Sequence, residues 1–318
     1  MTGWRPTASL EVLAQRAQLL AGIRAFFERA GLLEVDVPVL ADTGVTDPHI
    51  DCIPLVVGGR TQYLQSSPEY YMKRMLAAGS GDIYYLGRAF RDGEAGRRHN
   101  PEFTMLEWYR VGWDEHRLMT ELVDLVAQLN PGWSVCKKTY AQVFQHAVGL
   151  DPHNVPLEQL QERASQLAGC DFSSEGRSTC LDLIFSLVVE PSLPDGLVLV
   201  QDYPACQAAL AWLDKDQAGN LVARRFEAFL NRMELANGYY ELTDAREQKS
   251  RFDADQALRS ALGKSSMPRD DRLLAALSAG LPSCAGVALG VDRLLMQWLG
   301  LTDIRQVLPF AFGGDGER

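Results

Sequence analysis

Two segments rich in strand-forming residues, Ile83 to Phe90 and Phe103 to Trp113, flank the polar connection Arg91-Asp92-Gly93-Glu94-Ala95-Gly96-Arg97-Arg98-His99-Asn100-Pro101-Glu102. Strands joined by such a loop read as an antiparallel hairpin. A second hairpin is signalled where Ile53 to Val57 and Thr61 to Leu64 flank the turn Gly58-Gly59-Arg60. Further strand-like segments stand at Leu197 to Val200, Phe226 to Leu235 and Val287 to Val291. Between them lie helical patterns. Leu13, Ala17, Leu20, Ile23 and Phe27 recur at helical spacing within Ser9 to Ala30, with Ser9 placed to cap the start and Gly31 after the last turn. Tyr70 to Ala78, behind Pro68, and Leu118 to Leu129 repeat the pattern. Hairpins interleaved with helices predict an α+β fold, an antiparallel sheet flanked by helices, over a doubly wound parallel sheet.

The first helix runs into Leu33-Glu34-Val35-Asp36-Val37-Pro38-Val39, whose alternation predicts a strand. Pro38 has no amide hydrogen to donate, which confines that strand to a sheet edge. An edge strand beside a long amphipathic helix is a natural place for a second subunit. Residues from about 134 to 190 read as small helices, an insertion within a single domain spanning 1–318.

Composition narrows the classes. At 318 residues and 47% hydrophobic the chain can bury a sizeable core, and no run of apolar residues is long enough for a membrane span. The N-terminus lacks the basic and apolar regions of a secretory signal, so a cytoplasmic enzyme is expected. Six cysteines are scattered without a C-x-x-C pair, which suggests neither a zinc site nor a disulfide framework. The formal charge of −10 argues against a broad nucleic-acid surface, because phosphate tracking needs clustered Lys and Arg.

Four patterns carry chemistry. Arg91, Arg97, Arg98 and His99 concentrate positive charge at a turn, which suits a polyphosphate because guanidinium forks match phosphate oxygens. A solvated basic loop has the same composition. In Phe226-Glu227-Ala228-Phe229-Leu230-Asn231-Arg232-Met233-Glu234-Leu235, a hairpin turning at Leu230-Asn231 sets Glu227 opposite Glu234. Like charges there repel, and magnesium held by both carboxylates would reverse the sign. Another register leaves the pair in solvent. Gly286-Val287-Ala288-Leu289-Gly290-Val291-Asp292-Arg293 spaces glycines so that a ligand can approach the backbone, or marks only a bulge. Finally Glu69, Glu107 and Glu241 stand in apolar company, where a carboxylate needs a partner. Together they could receive a ligand with two ammonium groups; singly, each suits a structural acceptor.

These segments resemble, in order, the three signature motifs of class II aminoacyl-tRNA synthetases. Gly31 to Leu40 resembles the dimer-interface motif, Phe90 to Phe103 the ATP-binding motif, and Gly286 to Leu294 the last, phosphate-binding one. Arg98 to Glu107 and Glu234 to Asp244 are similar to lysyl-tRNA synthetases. The oligonucleotide-binding barrel that precedes the catalytic domain in those enzymes is not expected here, since the first motif helix begins within ten residues of Met1. The chain thus looks like the truncated relatives that ligate (R)-β-lysine to elongation factor P. Ala288, where lysyl-tRNA synthetases commonly have glycine, and Asp202-Tyr203-Pro204-Ala205 also look like that family.

The resemblance implies a class II catalytic core that uses ATP and Mg2+. It implies adenylation of (R)-β-lysine or lysine and transfer to a lysine ε-amine of elongation factor P, in a homodimer with no role for tRNA. Arg91 and Arg293 would be catalytic phosphate contacts. Asp92, Gly93, Glu94, His99, Asn100, Glu234, Leu235 and Gly290 would complete the ATP site. Ser67, Pro68, Glu69, Glu107, Tyr109, Asn237, Glu241 and Ala288 would bind the amino acid, and Glu227 and Glu234 the metal. One departure stands out: the usual Arg-x-Glu reads Arg91-Asp92-Gly93 here, with Glu94 one place later. A stand-alone lysyl-tRNA synthetase-like or asparagine-synthetase-like enzyme, and an inactive paralogue serving as a binding module, are the competing readings.

Overall fold

The Ser9 side chain accepts a hydrogen bond from the Val12 amide and starts α1 (Leu10–Arg29) where the sequence places it. In this computed structural model, which describes residues 4 to 313, the chain divides into two compact units. The extreme ends of the expected 1–318 domain, residues 1–3 and 314–318, lie outside the described residues. The first unit is Met1–Trp113 with Thr243–Arg318; the second is Asp114–Leu242.

After α1 the first unit continues with β1 (Leu33–Glu34), β2 (Leu40–Ala41), β3 (Pro54–Val57), β4 (Arg60–Leu64), α2 (Glu69–Ala77), β5 (Ile83–Phe90) and β6 (Glu102–Val111). The strand expected over Leu33 to Val39 is cut to the two residues of β1, paired parallel to β5. The chain then leaves the ladder before Pro38, which cannot donate to it, and re-enters a separate small sheet as β2. The β3–β4 turn lies at Gly58-Gly59, both with positive φ, as a tight two-residue hairpin requires.

The second unit begins with α3 (Glu115–Ala127), capped by Asp114. It continues with β7 (Val135–Thr139), α4 (Tyr140–Val148), α5 (Leu157–Ala168), α6 (Arg177–Ile184), a π-helical turn Phe185–Val189 and α7 (Glu190–Ser192). There follow β8 (Leu197–Pro204), a 3-10 turn Ala205–Gln207, β9 (Leu213–Lys215), β10 (Leu221–Leu230) and β11 (Met233–Tyr240). The stretch from about 134 to 190, read as small helices, is mainly helical but opens on β7, which pairs parallel to β8. β10 pairs antiparallel with β8, β9 and β11. Helices α4 to α6 cover this sheet through a buried cluster in which Tyr140, Phe144, Phe185 and Phe229 meet. Tyr140 stacks on Phe185 at 5.0 Å.

The first unit then resumes with α8 (Ala245–Ala261), α9 (Asp271–Gly280), β12 (Cys284–Gly290) and α10 (Val291–Leu299). β12 pairs antiparallel with β6, and β6 with β5, so the ends of β5 and β12 lie at the same edge as the start of β6. Strand alternation gives β6 two distinct faces. Thr104 and Trp108 turn toward α1, where Phe27 packs against Tyr84 at 4.8 Å and Trp108 at 5.2 Å. Burying each such ring contributes about 2–3 kcal/mol. Phe103, Met105, Glu107 and Tyr109 therefore share the opposite face. Mixed but mostly antiparallel pairing with helices makes the fold α+β, as expected. No helix among the described residues is long and apolar enough to cross a membrane.

Candidate active site

In the first unit, β5 ends at Phe90 and the polar loop begins with Arg91, whose amide bonds the Pro101 carbonyl at 2.9 Å and closes the loop's neck. Its guanidinium sits 5.2 Å from the Phe103 ring, on the sheet face away from α1. Gly93 has φ +73°, a conformation that glutamate adopts only with strain. The chain turns there and Glu94 returns to Arg91 at 3.5 Å. Arg-x-Glu thus becomes Arg-x-Gly-Glu with the carboxylate still beside the arginine. Asp92 is exposed and holds the turn, accepting from the Gly93 amide at 2.9 Å.

Arg293, in the first turn of α10, meets the far side of this loop. Its Nη2 lies 2.5 Å from His99 Nε2, and its Nε donates to the Arg98 carbonyl at 3.3 Å. Arg91 and Arg293 are therefore both at the edge where β5 and β12 end. Asn100 is buried and fixed at both ends, donating to the Glu102 carbonyl at 2.6 Å and accepting from the Phe312 amide at 2.9 Å. Beneath Arg293 lies a network sequence reading missed. Asp292 accepts from Arg16 at 2.6 Å and from the Thr104 amide at 2.8 Å, while Arg16 also donates to Thr104 Oγ1 at 2.6 Å. It ties α10 to α1 and β6 and so positions Arg293. A methyl added at Gly290 would touch the Arg293 side chain at ordinary van der Waals distance, 3.7 Å, so the Arg293 stem packs directly over this backbone.

On the same face of β6, Glu107 is buried and doubly held. Ser67 donates to one of its oxygens at 2.9 Å and Tyr109 to the other at 2.7 Å. Ser67 also accepts from the Glu69 amide, and Pro68 precedes the first turn of α2. Ala288 lies directly opposite Glu107 across β6 and β12, with Gly286 and Gly290 opposite Tyr109 and Met105. Small residues thus floor the face around the carboxylate. Glu69 is ion-paired at 2.7 Å with Lys73, a buried lysine the sequence reading did not single out.

In the second unit the turn between β10 and β11 is Asn231-Arg232, both with positive φ, one residue later than expected. A bulge follows. Glu227 is paired with Asn237 and Glu234 with Phe229, so the two carboxylates are not directly opposite, which corrects the expected register. They nonetheless line one cavity of about 80 Å³ together with Tyr203 and Asp182. Leu235 is the extra residue of the bulge and has no partner on β10. A second bulge, between Ala223 and Phe226 against β8, turns Arg224 and Arg225 to different neighbours. Arg224 pairs with Glu115 at 2.8 Å. Arg225 pairs with Glu227, donates to Asn237 at 3.2 Å and to the Gln207 carbonyl at 2.8 Å, and stacks on Tyr203. Burial pushes the Glu227 carboxyl up to about 7, against the pull of Arg225 and with a further push from Glu234. Glu241, just past β11, is buried.

The family model for tRNA synthetases class II (D, K and N) matches residues 2–312. The elongation factor P–(R)-β-lysine ligase of Histophilus somni (strain 2336) is 46% identical over 314 residues, 96% of this chain and 97% of its own. That of Vibrio vulnificus (strain YJ016) is 46% identical over 318 residues, 97% and 98% of the two chains. The chain belongs to the class II tRNA synthetase family, among these ligases. Two of the three segments that resemble that family's motifs, Phe90 to Phe103 and Gly286 to Leu294, hold the loop and the strand–helix junction described above. The contacts of Arg225 and the Arg16–Asp292 network were missed because they depend on bulges and long-range pairing, while Tyr203 stood out only as part of Asp202-Tyr203-Pro204-Ala205. In the sequence Arg225 shows only as the second of two adjacent arginines, Arg224 and Arg225.

Proposed function

We propose that the chain adenylates (R)-β-lysine with ATP and transfers the β-lysyl group to the ε-amine of one lysine of elongation factor P. The observation that carries this reading is Glu107, buried and held by Ser67 and Tyr109 on the sheet face whose edge bears Arg91 and Arg293. One receptor there suits an ammonium group and the other suits phosphates.

In the first step an oxygen of the β-lysine carboxylate attacks the α-phosphorus, and the bond to pyrophosphate breaks. Arg91 neutralises charge on the α-phosphate, and Arg293 with His99 takes the terminal phosphate. Asn100, Gly290 and the bulged backbone at Leu235 complete the nucleotide contacts, with Asp92, Gly93 and Glu94 on the adenine side. Glu107, Tyr109 and Glu241 receive the distal ammonium. Glu69, shared with Lys73, takes the amine nearer the carboxylate, with Ser67, Pro68, Asn237 and Ala288 shaping the pocket. Glu227 and Glu234 would hold a magnesium ion: both carboxylates line one cavity, and Glu234 still pushes the Glu227 carboxyl up with Arg225 beside it. Bound there, magnesium would neutralise phosphate charge. In the second step the deprotonated lysine amine attacks the acyl carbon, the bond to AMP breaks, and the departing phosphate can accept the amine's proton.

The same reading includes a homodimer formed through residues about 10 to 40, where Leu33 on the edge strand β1 is 58% exposed. It includes a reducing, cytoplasmic setting, in keeping with six free cysteines. Intact-mass measurement of elongation factor P after incubation with ATP and each lysine isomer tests the reading. One β-lysyl adduct is expected, and label on tRNA alone would overturn it.

A further inference from the structure

The segment Asp202-Tyr203-Pro204-Ala205 has no role in the reaction as derived, yet its backbone is held in an unusual shape. Asp202 has φ +59° opposite the bulge in β10, where Ala223 pairs with Tyr203 and Phe226 with Gln201. Left-handed backbone at a non-glycine residue costs on the order of 1–3 kcal/mol and persists only where the surroundings impose it. Its consequence is local: Tyr203 and, from the following 3-10 turn, Gln207 both line the cavity that holds Glu227 and Glu234. Tyr140, at the start of α4, lines it from the helical side.

These three residues are buried; the Tyr203 hydroxyl stands beside Glu227 and the Tyr140 hydroxyl beside the Gln207 side chain, neither in good hydrogen-bond geometry, and Oε1 of Gln207 has no partner. A buried polar atom left without a good hydrogen bond costs about 1–3 kcal/mol, so such atoms gathered around one cavity favour a ligand that completes their bonding. The cavity measures about 80 Å³. That is room for several waters, since one needs on the order of 10–15 Å³. Asp182 and Glu190 add further carboxylates to its wall. Apart from the Phe185 and Phe229 rings and the Gln207 amide nitrogen, which donates to Asp182, the groups lining it are oxygens, the chemistry of a hydrated hard cation.

Among the described residues no three carboxylate, thiol or imidazole side chains converge as direct ligands. Magnesium suits such a place because it keeps several of its waters and needs only one or two carboxylates. We propose that Tyr140, Tyr203 and Gln207, backed by Asp182 and Glu190, form an outer shell that holds the water ligands of the divalent ion carried by Glu227 and Glu234. This rests on the metal role given to those two glutamates under the proposed function. The strained Asp202 segment then has a task, which is to deliver Tyr203 and Gln207 to the shell.

The test is Mn2+ binding followed by electron paramagnetic resonance, with adenosine α,β-methylene triphosphate present so that no turnover occurs. Tyr203→Phe and Tyr140→Phe keep the stacked rings and remove one oxygen each. Either should weaken Mn2+ binding about tenfold, the lower end of what outer-shell losses cost, while nucleotide affinity in EDTA stays unchanged. Unaltered Mn2+ affinity in both folded variants would overturn the outer shell. Glu227→Gln with Glu234→Gln is the control. If that double variant binds Mn2+ normally, the metal role of the glutamates fails, and the outer shell with it; if only the tyrosine variants bind normally, the outer shell fails alone.

Discussion

Replacing Glu227 with glutamine should change how the stability of the ligand-free protein responds to pH. The Glu227 carboxyl is pushed from 4.5 up to about 7, chiefly by burial. A carboxyl raised on folding favours its neutral form in the native state. Its stabilising contribution is complete below about pH 4.5 and is lost as pH rises through about 7. At about 1.36 kcal/mol per pKa unit the shift is worth on the order of 3 kcal/mol. Glutamine keeps the shape and cannot ionise. It leaves Arg225 without its carboxylate partner, but guanidinium stays charged throughout, so that cost is a constant offset. The signal is the slope. Urea unfolding of both proteins, in EDTA and without nucleotide, should show wild type losing about 2–3 kcal/mol relative to the variant between about pH 5 and 8. A difference that stays level across that range refutes the burial argument. Magnesium with nucleotide should flatten the wild-type profile, because a bound cation favours the charged carboxylate.

Three further outcomes are expected. Glu241→Gln should lower kcat/KM for the diamino acid by about 10- to 100-fold, the worth of one charge-assisted bond, while KM for ATP is unchanged; equal losses for both substrates would contradict its assignment to the distal amine. Asp292→Ala removes the partner of buried Arg16 and should destabilise by about 3–5 kcal/mol, measurable by urea unfolding, and an unchanged midpoint would remove the network's supporting role. Arg293→Ala should slow ATP–pyrophosphate exchange by about 100-fold or more without altering the circular dichroism spectrum, and normal exchange would exclude it from the phosphate site.

Much of this protein was legible as sequence where local chemistry sufficed. Ser9 as a cap, Gly58-Gly59 as a turn, and the polar loop from Arg91 to Glu102 all depend on near neighbours, and each formed as read. The α+β class followed from those local elements. The motif residues could be named because their order along the chain is itself the signal.

Other features belong to the tertiary structure alone. The strand expected before Pro38 shrank to Leu33–Glu34, because the ladder to β5 ends there. The register of Glu227 against Asn237 was set by a bulge, and a one-residue slip redirects every side chain beyond it. Arg225 reads as one member of a basic pair, yet long-range packing buries its contacts against Glu227, Asn237 and Tyr203. Arg16 joins Asp292 from a position 276 residues away. Sequence by itself determined which groups with the right chemistry were present and in what local conformations. Which carboxylates share a cavity, which arginine pairs with Glu227 and which stays at the sheet edge were decided by strand register and burial, properties of segments that meet only in the folded chain.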